Sequence, residues 1–307
     1  MSIKIAILGA GAMGSLFGGF LSQKNHVWLI DTNQERVNKI NEAGVTVLTQ
    51  GRTEVFHPQA VCDSSGLEPV DVLLVFVKAI HSRAALSANK HLIGEHTFVM
   101  TLQNGAGHEV VLSEFAPPER VIIGTTEHNS SLTPEGAVHH GGGGKTYIGL
   151  LKGENERLQQ VADSFSACGI ETLVADNVPE RIWRKLFVNA SASVLTGVLG
   201  VKLGYILDNA HAWQVARRLI EEAVAVANAE GMQFAVEEIA GDVQDLLRRV
   251  YHGYTSIYAD LQAGRLTEVD TINGTVVRKA KELGVPVPTH EVIVHLVHAL
   301  EGKREQQ

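Results

Sequence analysis

The chain has 307 residues, is 45% hydrophobic and 20% charged, and carries a formal net charge of -8. That length allows two domains, each burying its own core, while an acidic balance without basic runs gives nucleic acid or an anionic membrane no electrostatic footing. The two cysteines, Cys62 and Cys168, match no metal or disulfide framework and suit a reducing compartment, so a cytoplasmic location is expected. No uncharged apolar run reaches the length of a membrane span. Residues 1–21 are broken by Gly9, Gly11 and Gly14 in a strand-loop-helix pattern, so they read as mature structure and not as a signal peptide.

Residues 3–8 form a short apolar strand that runs into Gly9-Ala10-Gly11-Ala12-Met13-Gly14 and then a helical segment through Leu21. Strand, Gly-x-Gly-x-x-Gly and helix in this order predict a dinucleotide cradle. The first glycine permits the turn, the second admits a pyrophosphate, and the third lets helix pack on strand. The helix N-terminus then offers free N–H groups and a partial positive charge. A second strand, residues 26–30, ends in Asp31, seventeen residues past Gly14, where such folds place a carboxylate for the ribose hydroxyls. Asp31 also opposes a 2′-phosphate, a like-charge contact costing roughly 1–4 kcal/mol. NAD(H) is therefore favoured, while Arg36 and Lys78 keep NADP(H) open. Capping of the helix after Asp31 is the alternative role for this acid.

Residues 71–77 and 97–102 are continuous apolar runs, as expected of strands buried on both faces. Ligands in such sheets lie beyond the carboxyl ends of the strands, which draws attention to Lys78 and to Gln103-Asn104-Gly105. Another strand covers residues 121–124, followed by Thr125-Thr126-Glu127-His128-Asn129. Residues 136–151 look like an antiparallel excursion, and residues 170–175 close the sheet. A boundary at 176–179 divides a Rossmann-like doubly wound α/β domain, residues 1–176, from an all-α domain, residues 177–307.

The second half reads as helices over residues 179–199, 208–230, 236–251, 256–263, 268–283 and 291–300, with Asp208 as an N-cap and a frayed polar tail at 301–307. The first of these carries a lysine in an almost uncharged setting. After Arg184-Lys185 no charge appears until Lys202, and Lys185, Asn189 and Ser193 recur at i, i+4, i+8. That stripe predicts an amine, an amide and a hydroxyl lining an interdomain cleft. An exposed polar face is the competing account.

These pieces together resemble the ketopantoate reductase family, nearly end to end: the 9–14 loop, Lys78, Gln103-Asn104-Gly105, Gly124-Thr125-Thr126 with His128, Lys185 with Asn189, Ser256, and Glu268-Val269-Asp270-Thr271-Ile272-Asn273-Gly274. The resemblance implies that Lys185 is the general acid and that Asn104 sits by cofactor and substrate. It implies further that Asn189 and Ser256 bind substrate and that Glu268 lies where cofactor and substrate meet. Two positions depart from the family. Ser193 stands where a second amide is frequent, and Asp31 stands where many members carry a basic residue for NADP.

The chemistry expected is reduction of a 2-oxo acid, in which negative charge grows on the carbonyl oxygen as hydride arrives. Lys185 would stabilise that oxygen and deliver the proton, with Asn104 and Asn189 orienting it and Ser256 donating to the substrate carboxylate. The small-molecule substrate is either ketopantoate or, for an NAD-dependent D-2-hydroxyacid dehydrogenase of the same family, another branched 2-oxo acid. A homodimer is compatible with either. A non-catalytic dinucleotide sensor is the rival from another class, against which the set Lys185, Asn104 and Asn189 argues. For Glu268 and Ser256 helix capping is the plainer alternative. Fourteen histidines invite a metal reading, but no HExxH or carboxylate pattern surrounds them, and no metal is expected.

Overall fold

The computed structural model describes residues 2–303, whose contacts fall into two compact units, residues 2–103 with 108–178 and residues 104–107 with 179–303. In chain order the first unit contains β1 (Lys4–Leu8), α1 (Ala12–Leu21), β2 (His26–Ile30), α2 (Gln34–Ala43), β3 (Val45–Thr49), β4 (Arg52–Phe56), β5 (Gln59–Val61) and β6 (Val72–Val75). It continues with α3 (Ser82–Ala88), β7 (Phe98–Thr101), α4 (His108–Leu112), β8 (Val121–Thr126), β9 (Asn129–Leu132), β10 (Val138–Gly142), β11 (Thr146–Leu150), α5 (Glu156–Ser166) and β12 (Thr172–Val174).

Eight strands form one sheet in the order β12-β11-β8-β7-β6-β1-β2-β5. All neighbours pair in parallel except β8 with β11. The central strands are apolar throughout because helices cover both faces: Ile5, Ala6, Ile7 and Val72 to Val75 have no exposed surface. This is the doubly wound fold expected from the sequence. A second sheet, β4-β3-β10-β9, is an addition that the sequence reading lacked. The excursion at 136–151 thus divides: β10 pairs antiparallel with β9 in the small sheet, and β11 runs antiparallel to β8 in the large one.

The second unit holds α6 (Val178–Val188), a π turn (Asn189–Ser193), α7 (Val194–Leu199), α8 (Leu203–Asp208), α9 (Ala210–Ala229), α10 (Val236–Arg249), α11 (Ser256–Ala263), α12 (Asn273–Leu283) and α13 (Pro288–Gly302). The 20-residue α9 buries Ala216, Leu219, Ile220 and Ala223 among Phe187, Ile239, Val276 and Val297 from its neighbours. Three details differ from the sequence reading. Asn209, not Asp208, caps α9 by accepting from His211 N and Ala212 N, and Asp208 instead ends the short α8. The helix predicted from residue 268 begins only at Asn273: Val269 and Ile272 are buried by a compact turn, whose first N–H groups go to Thr267 Oγ1 and Glu268 O. The tail predicted to fray at 301–307 is helical to Gly302, and residues 304–307 lie outside the described residues.

Candidate functional site

The glycine loop has the shape its sequence demands. Gly9 has φ +100°, and a Cβ there would meet Val77 N at 2.9 Å. A Cβ on Gly14 would fall 1.9 Å from Gly9 O, so only glycine lets α1 start this close to β1. At Gly11, by contrast, a Cβ would have no neighbour within 4 Å, and this residue caps α1 without any side-chain hydrogen bond. An open approach to a helix N-terminus is what a pyrophosphate requires, so the loop fits a dinucleotide.

Asp31 follows β2 at the carboxyl edge of the sheet. Its Oδ2 accepts from Ala10 N at 2.8 Å and its Oδ1 from Asn33 N at 2.9 Å. Capping of α2 belongs to Asn33, whose side chain accepts from Arg36 N, so the capping alternative for Asp31 is not what the structure shows. Arg36 Nη1 lies 3.5 Å from Asp31 Oδ2, a half-exposed pair worth at most about 1 kcal/mol. Arg36 borders a cleft of about 600 Å³ that is also lined by Ala10, Asn33, Lys39 and the 132–137 turn. Lys78 is half-buried, three residues past β6 on the same sheet edge. Gln103 ties the end of β7 to this region, its Nε2 donating to Val77 O (2.5 Å) and Ser82 Oγ (3.0 Å).

In the second unit Lys185 occupies the last turn of α6, half-buried, one turn before Asn189. Its neighbour Arg184 is committed elsewhere: the guanidinium meets Glu180, Glu238 and Asp242 at 2.9–3.2 Å. The sequence reading set Lys185, Asn189 and Ser193 on one continuous helical stripe. The helix does not continue as α through Asn189 but widens into the π turn, a distortion common at functional sites. Ser193, 7% exposed, still reaches Asn189, with Oγ 3.5 Å from Oδ1. Thr255 accepts from Tyr258 N and so caps α11, which leaves Ser256 as the first, exposed residue of that helix and not as its cap. The Thr255 hydroxyl also reaches Ser193 O (3.3 Å) and Thr196 Oγ1 (2.7 Å), joining the start of α11 to the π turn.

Asn104 and Glu268, 164 positions apart, meet directly: Asn104 Nδ2 donates to Glu268 Oε2 at 3.1 Å. Residues 104–107 are laced to the turn before α12 by Thr271 Oγ1 to Asn104 O, Ala106 N to Thr271 O and Thr275 Oγ1 to Ala106 O. Gly105 makes this approach possible, with φ +94° and only 2.0 Å between a Cβ position and Thr271 O. Sequence reasoning missed Thr255, Thr196 and the role of Asn273, which donates to Ala190 O inside the π turn. Polar side chains within apolar runs were the available signal.

Three of the histidines are engaged by neighbouring side chains. His128 Nδ1 and His140 Nε2 are 3.1 Å apart with stacked rings, and burial, then the adjacent His140, pulls the His128 pKa down to about 4. His298 lies between Asp270 and Glu301; burial opposes its protonation, but the two carboxylates outweigh this and raise its pKa. Among the described residues no group of three His, Cys, Asp or Glu side chains could hold a metal, and no helix is long and apolar enough to cross a membrane.

Two family models match the chain, "Ketopantoate reductase PanE/ApbA" over residues 5–153 and its C-terminal counterpart over residues 177–301. A 2-dehydropantoate 2-reductase of Halobacterium salinarum is 32% identical over 96% of this chain and 98% of its own. The enzyme of the same name from Pyrococcus horikoshii is 32% identical over 98% of both. Among solved structures, D-mandelate dehydrogenase with NADH and anilino(oxo)acetate superposes with a TM-score of 0.92 at 33% identity, covering 97% of this chain and 98% of that one. A ketopantoate reductase from Ralstonia eutropha gives 0.90 at 29%, covering 98% and 99%.

Proposed function

Since the chain belongs to the ketopantoate reductase family, whose members are NAD(P)-dependent oxidoreductases acting on the CH–OH group of a 2-hydroxy acid, we propose that it reduces a branched 2-oxo acid with NADH, 2-dehydropantoate being the first candidate. The observation that carries the reading is the half-buried Lys185, set one turn before a π turn that groups Asn189 and Ser193. The nicotinamide, when bound, supplies the hydride. Lys185 holds a proton at Nζ and gives it to the substrate carbonyl oxygen as charge develops there, and a general acid of this kind contributes about 10²–10⁴ in rate. Asn189, Ser193 and Ser256 offer donors to the substrate's carboxylate and hydroxyl oxygens. Glu268 accepts from Asn104 Nδ2 and so fixes the amide plane that orients substrate and cofactor. Asp31 receives the adenosine ribose hydroxyls, beside the loop at Gly9, Ala10, Gly11, Ala12, Met13 and Gly14, with Lys78 on the same sheet edge.

A second reading within the family has its own support. Ser193 is shorter than an amide and offers ketopantoate's hydroxyl a different partner, and Asp31 opposes a 2′-phosphate. Both suit an NAD-dependent D-2-hydroxyacid dehydrogenase with another branched or bulky substrate, and the similarity to D-mandelate dehydrogenase supports it. Initial rates on ketopantoate and a panel of other branched and aromatic 2-oxo acids, with NADH and NADPH separately, distinguish the two. Lys185→Ala is expected to lower kcat by about 10²–10⁴ while leaving NADH affinity intact. Cofactor binding without turnover of any 2-oxo acid would overturn both readings.

A further inference from the structure

Widening a helix by one residue leaves a carbonyl without its usual donor. In the π turn the N–H of Val194 reaches back to Asn189 O, passing over Ala190 O, its partner in an α-helix. The missing donor comes from a residue 83 positions away: Asn273 Nδ2 lies 2.8 Å from Ala190 O. Asn273 is completely buried. Its amide is held in one orientation, because Nδ2 also donates to His290 Nδ1 at 3.1 Å and His290 Nε2 in turn donates to Leu219 O at 3.0 Å. This chain needs a neutral imidazole, and burial lowers the His290 pKa as required. His290 is itself fixed, since its N–H and that of Thr289 both donate to Glu222 at 3.1 Å. Turning the Asn273 amide over would press Oδ1 against Ala190 O.

Asn273 also opens α12, five residues after Glu268. One short stretch of chain therefore carries the Glu268–Asn104 pair at one end and the clamp on the π turn at the other. We propose that Asn273 is a positioning residue for the reduction, holding the π turn open so that Lys185, Asn189 and Ser193 keep their mutual register and their placement relative to the Asn104–Glu268 pair. This rests on the proposed 2-oxo acid reduction. Without the clamp, the helix relieves its orphaned carbonyl by reverting toward α geometry, and each residue of slipped register turns the following side chains by about 100°.

The test compares the full-length wild type with Asn273→Asp, Asn273→Ala and His290→Gln. Asn273→Asp keeps the shape of the side chain but sets an oxygen against Ala190 O. For both Asn273 variants kcat on the accepted 2-oxo acid should fall by about tenfold to a hundredfold, as small misplacements of reacting groups do. NADH affinity should be unchanged, the pH dependence of kcat should move, and amide exchange across residues 189–196 should accelerate. His290→Gln, which loosens the clamp without removing it, should show the same pattern in weaker form and serves if the Asn273 variants do not fold. Wild-type kcat and pH profile in a folded variant would overturn the inference, as would parallel losses of NADH affinity and thermal stability with an unmoved pH profile. Absence of any wild-type 2-oxo acid reduction would instead overturn the underlying reading. In that case exchange across residues 189–196 alone decides whether Asn273 holds the turn, and unchanged exchange refutes it.

Discussion

A side chain at Gly11 would enter open space, whereas one at Gly14 would begin 1.9 Å from Gly9 O. The two glycines therefore answer to different constraints, and substitution separates them. Gly14→Ala must push α1 off the sheet, costing on the order of 1–3 kcal/mol, which a urea melt would register. Gly11→Val should leave the melt within about 0.5 kcal/mol of wild type, yet weaken NADH binding by at least about tenfold, or roughly 1.4 kcal/mol, because its methyls fill the pyrophosphate's approach. Equal melts for the two variants would contradict this division. Asp31 supports a second prediction. Its Oδ2 faces Ala10 N and Arg36, so Asp31→Asn keeps an acceptor for the backbone while removing the charge and releasing the guanidinium. The ratio of kcat/KM with NADPH to that with NADH should rise about tenfold to a thousandfold, the span of the like-charge penalty. A ratio that stays put would mean that Asp31 does not choose the cofactor.

The β9–β10 hairpin and the helix around Asn189 show what patterning reveals at the level of elements and what it hides. Continuous apolar runs announced β6 and β7 because both of their faces are covered. The small sheet was invisible because β4 and β9 are mostly exposed and polar, with no alternation to read. Helical periodicity found α6 and α7 but could not find the π turn between them, since the donor that makes the turn tolerable is Asn273, a contact no local pattern encodes. The residue leading into this hairpin also stores a pH dependence. His128 is neutral in the fold, its pKa depressed to about 4 by burial first and by His140 second, against the weaker pull of Glu127. Between about pH 6.5 and pH 4 the unfolded chain takes up a proton that the folded ring refuses. Stability is thus full above about pH 6.5, declines as pH falls through this window, and stops changing on this account below about pH 4, a loss of at most about 3 kcal/mol. His128→Gln should narrow the difference between urea midpoints measured at about pH 7 and about pH 4.5 relative to wild type. An undiminished difference would assign it to other groups, such as the buried His290.

For the whole molecule, the chain order of the residues is less informative than the unit to which each belongs. Asn104 follows β7 closely, and sequence reading placed it inside the first domain, yet residues 104–107 pack with the helices through Thr271 and Thr275. Short polar segments after a strand carry no signal of such a transfer; it exists because Gly105 can adopt a positive φ against Thr271 O. Under the proposed function this divides the chemistry, with dinucleotide recognition assigned to the 9–14 loop and Asp31 in one unit, and reduction to Lys185, Asn189, Asn104 and Glu268 in the other. Defects confined to different units, without shared partners, should combine independently. Gly11→Val with Lys185→Ala should therefore multiply their separate effects on kcat/KM to within about 0.5 kcal/mol of additivity, roughly twofold. Lys185→Ala with Asn189→Ala, two changes to one polar strip holding one substrate, should lose far less than the product of the single variants, because a group acting as a unit is disabled by its first loss. Steady-state kinetics on these single and double variants measures both couplings. A strong coupling in the first pair would show that the glycine loop and the lysine act on the same step, and the assignment of separate tasks to the two units would have to be abandoned.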